Sequence, residues 1–316
     1  MNRRIKKAIW IASIGILITA IAIWPSALAF VVEKQLRALR THGAQLTWTG
    51  LHTRWNSISL ETLSTSLPGP TVRTGNNNLP SMTIPLPLDM ESPKVTLIPS
   101  SLLTLSPKLT FATTLYGGTL SGEVSNLRTT PFIKASLESL LLDHHPLVGG
   151  TGIRGGVLNL KTESLSLPPA PLLPQGTIDF QLSELHPPQV PELKSFLGIE
   201  SLGPVDLKGS AMLSGDDIVA DKITVTSPLT TAIGTLAIHR ASSENPDLDG
   251  TFRIHLTSEG TRTFGPWLSL ATSGQVENGS ESFRVTVSTQ PCAVVKPGQP
   301  RIPIGRKCLE YAVTPN

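Results

Sequence analysis

Along most of the chain, apolar and polar residues alternate with a period of two, the period of a strand that buries one face. Phe252, Ile254 and Leu256 fall on one side of such a segment, and Arg253 and His255 on the other. Phe283, Val285 and Val287 alternate with Arg284 and Thr286 in the same way. The pattern predicts strands over Leu109–Leu115, Thr119–Val124, Val157–Leu167, Thr177–Leu182, Val205–Leu213, Ile218–Thr226, Thr235–Ile238, Thr251–Leu256 and Phe283–Ser288. Nearer the N-terminus it predicts Ala44–Trp48 and Ile58–Leu67. One apolar and one solvated face imply an antiparallel sheet. Many strands open on a glycine followed by a β-former, as at Gly118, Gly156, Gly176, Gly234 and Gly250, which suggests a meander of similar hairpins.

The interruptions have their own signals. Residues 68–93 hold Pro68, Pro70, Pro80, Pro85, Pro87 and Pro93 and read as a loop or an edge excursion. Pro131–Leu142 reads as a helix, with Thr130 as N-cap and Pro131 in the first turn. Short helical turns are expected at Ser100–Leu105, Pro191–Leu197 and Phe264–Leu270, and a short amphipathic helix at Phe30–Leu39.

The N-terminus follows a different pattern. Ala8 to Val32 contains no charge, and its 25 residues exceed the roughly 20 that span a bilayer. Arg3, Arg4, Lys6 and Lys7 precede it, which keeps the N-terminus cytoplasmic and exports the rest. A cleaved signal peptide is the competing reading, with Ala27-Leu28-Ala29 as the cleavage site. Setting those four cations aside leaves 22 of the 26 basic residues against 23 acidic ones, a net of −1. The basic balance of the whole chain is thus an N-terminal effect, and no nucleic-acid-binding face follows from it.

Composition narrows the rest. With 26 glycines and 27 prolines a long helical bundle is excluded. Two cysteines, Cys292 and Cys308, exclude a disulfide-dense scaffold and a four-cysteine zinc site. In an exported chain the pair reads as a disulfide, whose loop contributes about 3 kcal/mol in the chain-entropy model. Catalytic constellations are missing: no metalloprotease, nucleophile-elbow or Walker pattern occurs. Gly150, Gly152 and Gly155 match a dinucleotide fingerprint by spacing, but a strand rather than a helix is expected after them. His144-His145, and Asp216-Asp217 with Asp221, read as solvated turns rather than metal ligands, and Asn278-Gly279-Ser280 as a turn or glycosylation acceptor. The expectation is a non-enzyme without cofactor or metal. Its informative chemistry is an apolar sheet face carrying Phe252, Ile254, Leu256, Phe283, Val285 and Val287. That face is buried either by a closed sandwich or barrel, or in a curled sheet whose groove holds a lipid chain or another protein's strand.

The order of features resembles a known family. Val31–Leu36 follows the membrane segment, then Gly43–Trp48, then Leu109–Val124 with Tyr116-Gly117-Gly118 and Gly122 at its centre. Phe196-Leu197-Gly198, Gly203–Gly209 and Ile223–Thr226 continue the style. Together these resemble the type II secretion system protein N family and the broader AsmA-like membrane-anchored proteins. The resemblance implies a single-pass bacterial inner-membrane protein, mainly β, with a long curved antiparallel sheet in the periplasm. It would be an accessory or assembly component of the secretion machine, contacting other secretion subunits, or a carrier of lipid acyl chains between the two membranes. Tyr116, Gly117, Gly118 and Gly122 would shape a structural hairpin. The expected layout is a cytoplasmic start over 1–7, an anchor over 8–32, a helical linker over 33–43, a β-rich domain over 44–288 and a proline-rich tail over 289–316.

Overall fold

A computed structural model describes residues 24–38, 45–72, 82–104, 106–127, 129–149, 152–168, 173–188, 203–241, 243, 245–272, 274–291, 302–304 and 307–315. Most of the expected anchor, the turn at Pro191–Leu197 and Cys292 lie outside these residues. Residues 24–38 are helical. Among the described residues no helix is long and apolar enough to cross a membrane. The protein is mainly β, every described pairing is antiparallel, and the helices are short.

The chain divides into two compact units, Met1–Val72 with Ser81–Leu115, and Arg73–Pro80 with Tyr116–Asn316. In the first unit β1 (Leu46–Thr49) pairs with β4 (Thr62–Val72), and β4 with β5 (Met82–Leu97). The short β2 (His52–Thr53) and β3 (Ser57–Ser59) pair with each other, and β3 also joins β5. On its other side β5 holds β6 (Leu109–Leu115). Of the two readings of 68–93, a loop or an edge excursion, the loop is corrected: both ends of the stretch are strand. Prolines are tolerated there because Pro85 and Pro87 face β4, whereas β6 pairs only from Met90 onward. Proline in a strand needs an edge on which no N–H is called for.

The second unit is a meander. Its strands are β7 (Gly118–Ser125), β8 (Phe132–Leu141), β9 (Arg154–Ser166), β10 (Gln175–His186), β11 (Val205–Ser214), β12 (Asp217–Thr226), β13 (Thr230–His239), β14 (Asp247–Leu256) and β15 (Ser282–Pro291). Each pairs with the next. β17 (Lys307–Pro315) then pairs with β15, and the short β16 (Ile302–Ile304) with β17. The C-terminal segment expected as a tail is thus partly sheet. Tyr311 and Val313 of β17 contribute to a core cluster with Leu268 and Val276.

The helix expected over Pro131–Leu142 is also corrected, because this stretch is β8. A β-bulge explains the false signal. The register against β9 slips between Leu137 and Leu140, where Ser139 sits at φ 57°. The extra residue moves Leu140 back to the face of Leu137 and turns a period of two into an apparent i, i+3, i+4 pattern. The device recurs in β10, with Glu184 at φ 57° between Leu182 and Leu185. It recurs again in β12, with Lys222 at φ 54° between Ala220 and Ile223. Neighbouring strands catch two of the exposed amides: Ser139 N–H donates to Asn159 Oδ1 at 2.8 Å, and Glu184 N–H to Asp206 Oδ1 at 2.9 Å. The residues flanking the β8 and β12 bulges are among the most buried on the sheet, with Leu137 8%, Leu140 7%, Ala220 8% and Ile223 6% exposed. Bulges bend a strand and raise its twist, so these three strands draw their apolar side chains together.

Candidate functional site

The register lines up the apolar face residue by residue. Leu120 faces Leu137, Leu137 faces Leu160, and Leu160 faces Phe180. Phe180 faces Gly209 on β11. Beyond the β12 bulge, Ile223 faces Gly234, Gly234 faces Phe252, Phe252 faces Val285, and Val285 faces Val313. One apolar rib therefore crosses the second unit from β7 to β17. Glycines in the rib make room for rings. A Cβ at Gly209 would lie 2.7 Å from the Phe180 ring, and one at Gly234 would lie 2.6 Å from Cδ1 of Phe252. Each ring thus lies across the neighbouring strand, an arrangement that covers a strand glycine with an aromatic.

The six residues expected on this face share it. Phe252 pairs with Val285, Ile254 with Phe283, and Gly250 with Val287, while Leu256 extends the same side of β14. Leu256, Phe283 and Val285 pack against the core cluster of Leu268, Val276 and Val313. That cluster is built by a helical insertion after β14: Ser258–Phe264, a 3-10 turn Gly265–Trp267 and Leu268–Ala271. Thr257 caps it, accepting the Gly260 amide at 3.0 Å. Val276, at 1% exposed, seals it. Away from this cap most of the face is only half-buried, including Leu160, Ile178, Phe180 and Leu182. A rib covered by a second layer would be buried throughout.

The hairpin residues sit at the turn between β6 and β7. Tyr116 and Gly117 are both left-handed, at φ 46° and 78°, as a type I′ turn requires. The Tyr116 ring meets the His145 ring edge-on at 4.9 Å, and the Tyr116 carbonyl accepts the Leu141 amide at 3.1 Å. Gly118 needs glycine for a different reason than a left-handed turn. A Cβ there would lie 2.6 Å from the Leu140 backbone. Gly122 faces Ala135 across the ladder. Cys308 is buried and disulfide-bonded.

The remaining motifs fall into turns and strand ends, and the turn expected at Asp216-Asp217 and Asp221 is corrected in part, since Asp217 and Asp221 belong to β12. A strand begins at Arg154 and takes in Gly155, the last glycine of the triplet, so no helix N-terminus follows it. Asp217 accepts the Arg240 amide and lies 3.2 Å from His239. Asn278 accepts the Ser269 amide. Among the described residues no group of three or more metal-ligating side chains converges.

One ion cluster is strongly coupled. Glu163 on β9 accepts from Lys134 at 2.5 Å and Lys161 at 2.7 Å. Those hydrogen bonds push its carboxyl down from 4.5 to about 2, and the same contact raises Lys161 above 10.5. A depressed carboxyl stabilises the fold above the unfolded pKa and loses that support as pH falls. Thermal melting of the wild type should therefore drop between about pH 4.5 and 2 by more than that of Glu163→Gln. Parallel melting curves for the two proteins would remove the cluster from the acid response.

Comparison with protein-family models, curated proteins and solved structures finds no match to this chain.

Proposed function

We propose that the chain is a non-enzymatic, membrane-anchored protein whose exported sheet holds an apolar ligand, a lipid acyl chain, along one face. The observation that carries this reading is the half-buried apolar rib of the second unit, capped by helical structure at its β14–β17 end. In this reading the bulged strands curl into a half-pipe, and the rings of Phe180 and Phe252 line it. The uncharged run from Ala8 to Val32 anchors the chain in a bacterial inner membrane, and the positive charges before it place the sheet in the periplasm.

Photo-crosslinking in living cells tests this. Benzoylphenylalanine replacing Phe180 or Phe252 should attach phospholipid, whereas the same group replacing Arg253, on the other face and outside the groove described below, should not. Equal labelling of both faces, or none, would overturn the reading.

A second reading is supported by the Tyr116–Gly117 turn and the Gly118 contact, the region that resembles type II secretion protein N. It makes the chain an accessory component of that machine, bound to its other subunits. Deleting the gene should then reduce export of proteins that use the machine, and unchanged export would count against it.

A further inference from the structure

The polar face of the second unit carries a groove of about 690 Å³ across β8–β12, within the size range of small-ligand sites. Its floor is the stretch of sheet holding Leu137, Leu160, Phe180 and Gly209. The polar residues alternating with these form its walls, so it lies on the opposite face from the apolar rib and does not depend on the acyl-chain reading.

The charges in the groove are unequally committed. Lys161 is taken up by Glu163, and it also feels Asp179, its partner across the ladder. Elsewhere in this unit Lys134 pairs with Glu163, and Lys307 with Asp247. Lys208 on β11 and Lys222 at the β12 bulge form no ion pair among the described residues, and Gln181, Ser210 and Thr224 beside them make no side-chain hydrogen bond there. Lys208 faces Thr224, two residues beyond Lys222. Adjacent strands lie about 4.8 Å apart, so two four-carbon stems reach a common anion. Lys222 holds the left-handed conformation, uncommon for a lysine, and a bulge re-aims the side chain it carries. At the β8 end the groove changes character. There it presents Glu138 and the NH₂ of Asn159, whose Oδ1 already accepts from Ser139. Carboxylates repel an extended polyanion but accept hydroxyls.

We infer that this groove binds a phosphorylated sugar. Lys208 and Lys222 hold the phosphate, with Ser210 and Thr224 as neutral donors. Glu138, Asn159 and Gln181 hold the sugar hydroxyls. The same chemistry comes from a soluble sugar phosphate or from the headgroup of a glycolipid-like phospholipid.

Calorimetric titration of the full chain in a non-ionic detergent tests this, with glucose 6-phosphate, inorganic phosphate and glucose as probes. Glucose 6-phosphate should bind at least about tenfold tighter than either half alone, a gap that a few charge-assisted contacts supply. Joint Lys208→Gln and Lys222→Gln substitution should weaken it about tenfold or more and flatten its salt dependence. Glu138→Gln should weaken glucose 6-phosphate while leaving phosphate binding unchanged. These positions are exposed, so unaltered melting temperatures are expected and separate binding from folding. Mixed micelles carrying phosphatidylinositol 4-phosphate distinguish the sources. Binding only to the micelles assigns the site to a lipid headgroup, and binding of the soluble sugar phosphate assigns it to a free ligand. Neither ligand binding, inorganic phosphate binding as tightly as the sugar phosphate, or an undiminished lysine double variant would overturn the inference.

Discussion

Replacing Phe252 by aspartate should destabilise the sheet by about 4 kcal/mol, through the lost ring and the desolvated carboxylate. Against the roughly 5–15 kcal/mol that holds a domain together, this is a large fraction. The ring lies over Gly234 of the next strand, and its residue pairs with Val285 on the other side. Removing it therefore breaks the apolar rib in its middle, beside the cap. The adjacent position supplies the control. Arg253 is exposed and faces Arg284 across the ladder. Arg253→Asp replaces a like-charge pair with an opposite-charge one and should change stability by no more than about 0.5 kcal/mol. Urea unfolding of the two variants decides the matter, and equal losses would mean that the apolar face is not what holds the second unit together.

Gly118→Val should cost about 3 kcal/mol, at the upper end for overpacking. A Cβ at this position would stand 2.6 Å from both the Cα and the amide nitrogen of Leu140 and 2.7 Å from the Glu138 carbonyl oxygen. Backbone cannot rotate away as a side-chain tip can, so β7 must separate from β8 at its first residue. Gly215→Ala separates this steric effect from conformational strain. Gly215 is left-handed at φ 64°, and nothing lies within 4 Å of an added Cβ. It should lose only about 1 kcal/mol. Unfolding midpoints that fall equally for both variants would show that steric room at Gly118 is not the constraint.

The strands with unbroken alternation were readable from composition order alone. Phe252, Ile254 and Leu256 occupy one face because side chains alternate along any extended chain. Val205–Leu213 and Leu109–Leu115 reappear as β11 and β6 within a residue of the expected ends. Legibility failed where an element departed from that period. The β8 bulge at Ser139 imitates helical spacing, and the prolines of β5 imitate a loop. Both depend on what the neighbouring strand offers: Asn159 to catch the Ser139 amide, and an unpaired edge beside Pro85 and Pro87. β17 was hidden for a similar reason, since a strand behind a proline-rich stretch gains its place by pairing with β15 and β16.

The candidate chemistry divides in the same way. Local alternation determined that this chain builds one-sided strands, and the glycines beside Tyr116 marked a tight turn, because both effects act within a few residues. Which apolar residues meet across the sheet was decided by register. So were the stacking of Phe180 and Phe252 over glycines of neighbouring strands and the gathering of Lys208 and Lys222 on one groove wall. Register is set by bulges, turns and long-range ladder pairing, whose partners are tens of residues away, and a shift of a single position would send every one of these side chains to the opposite face.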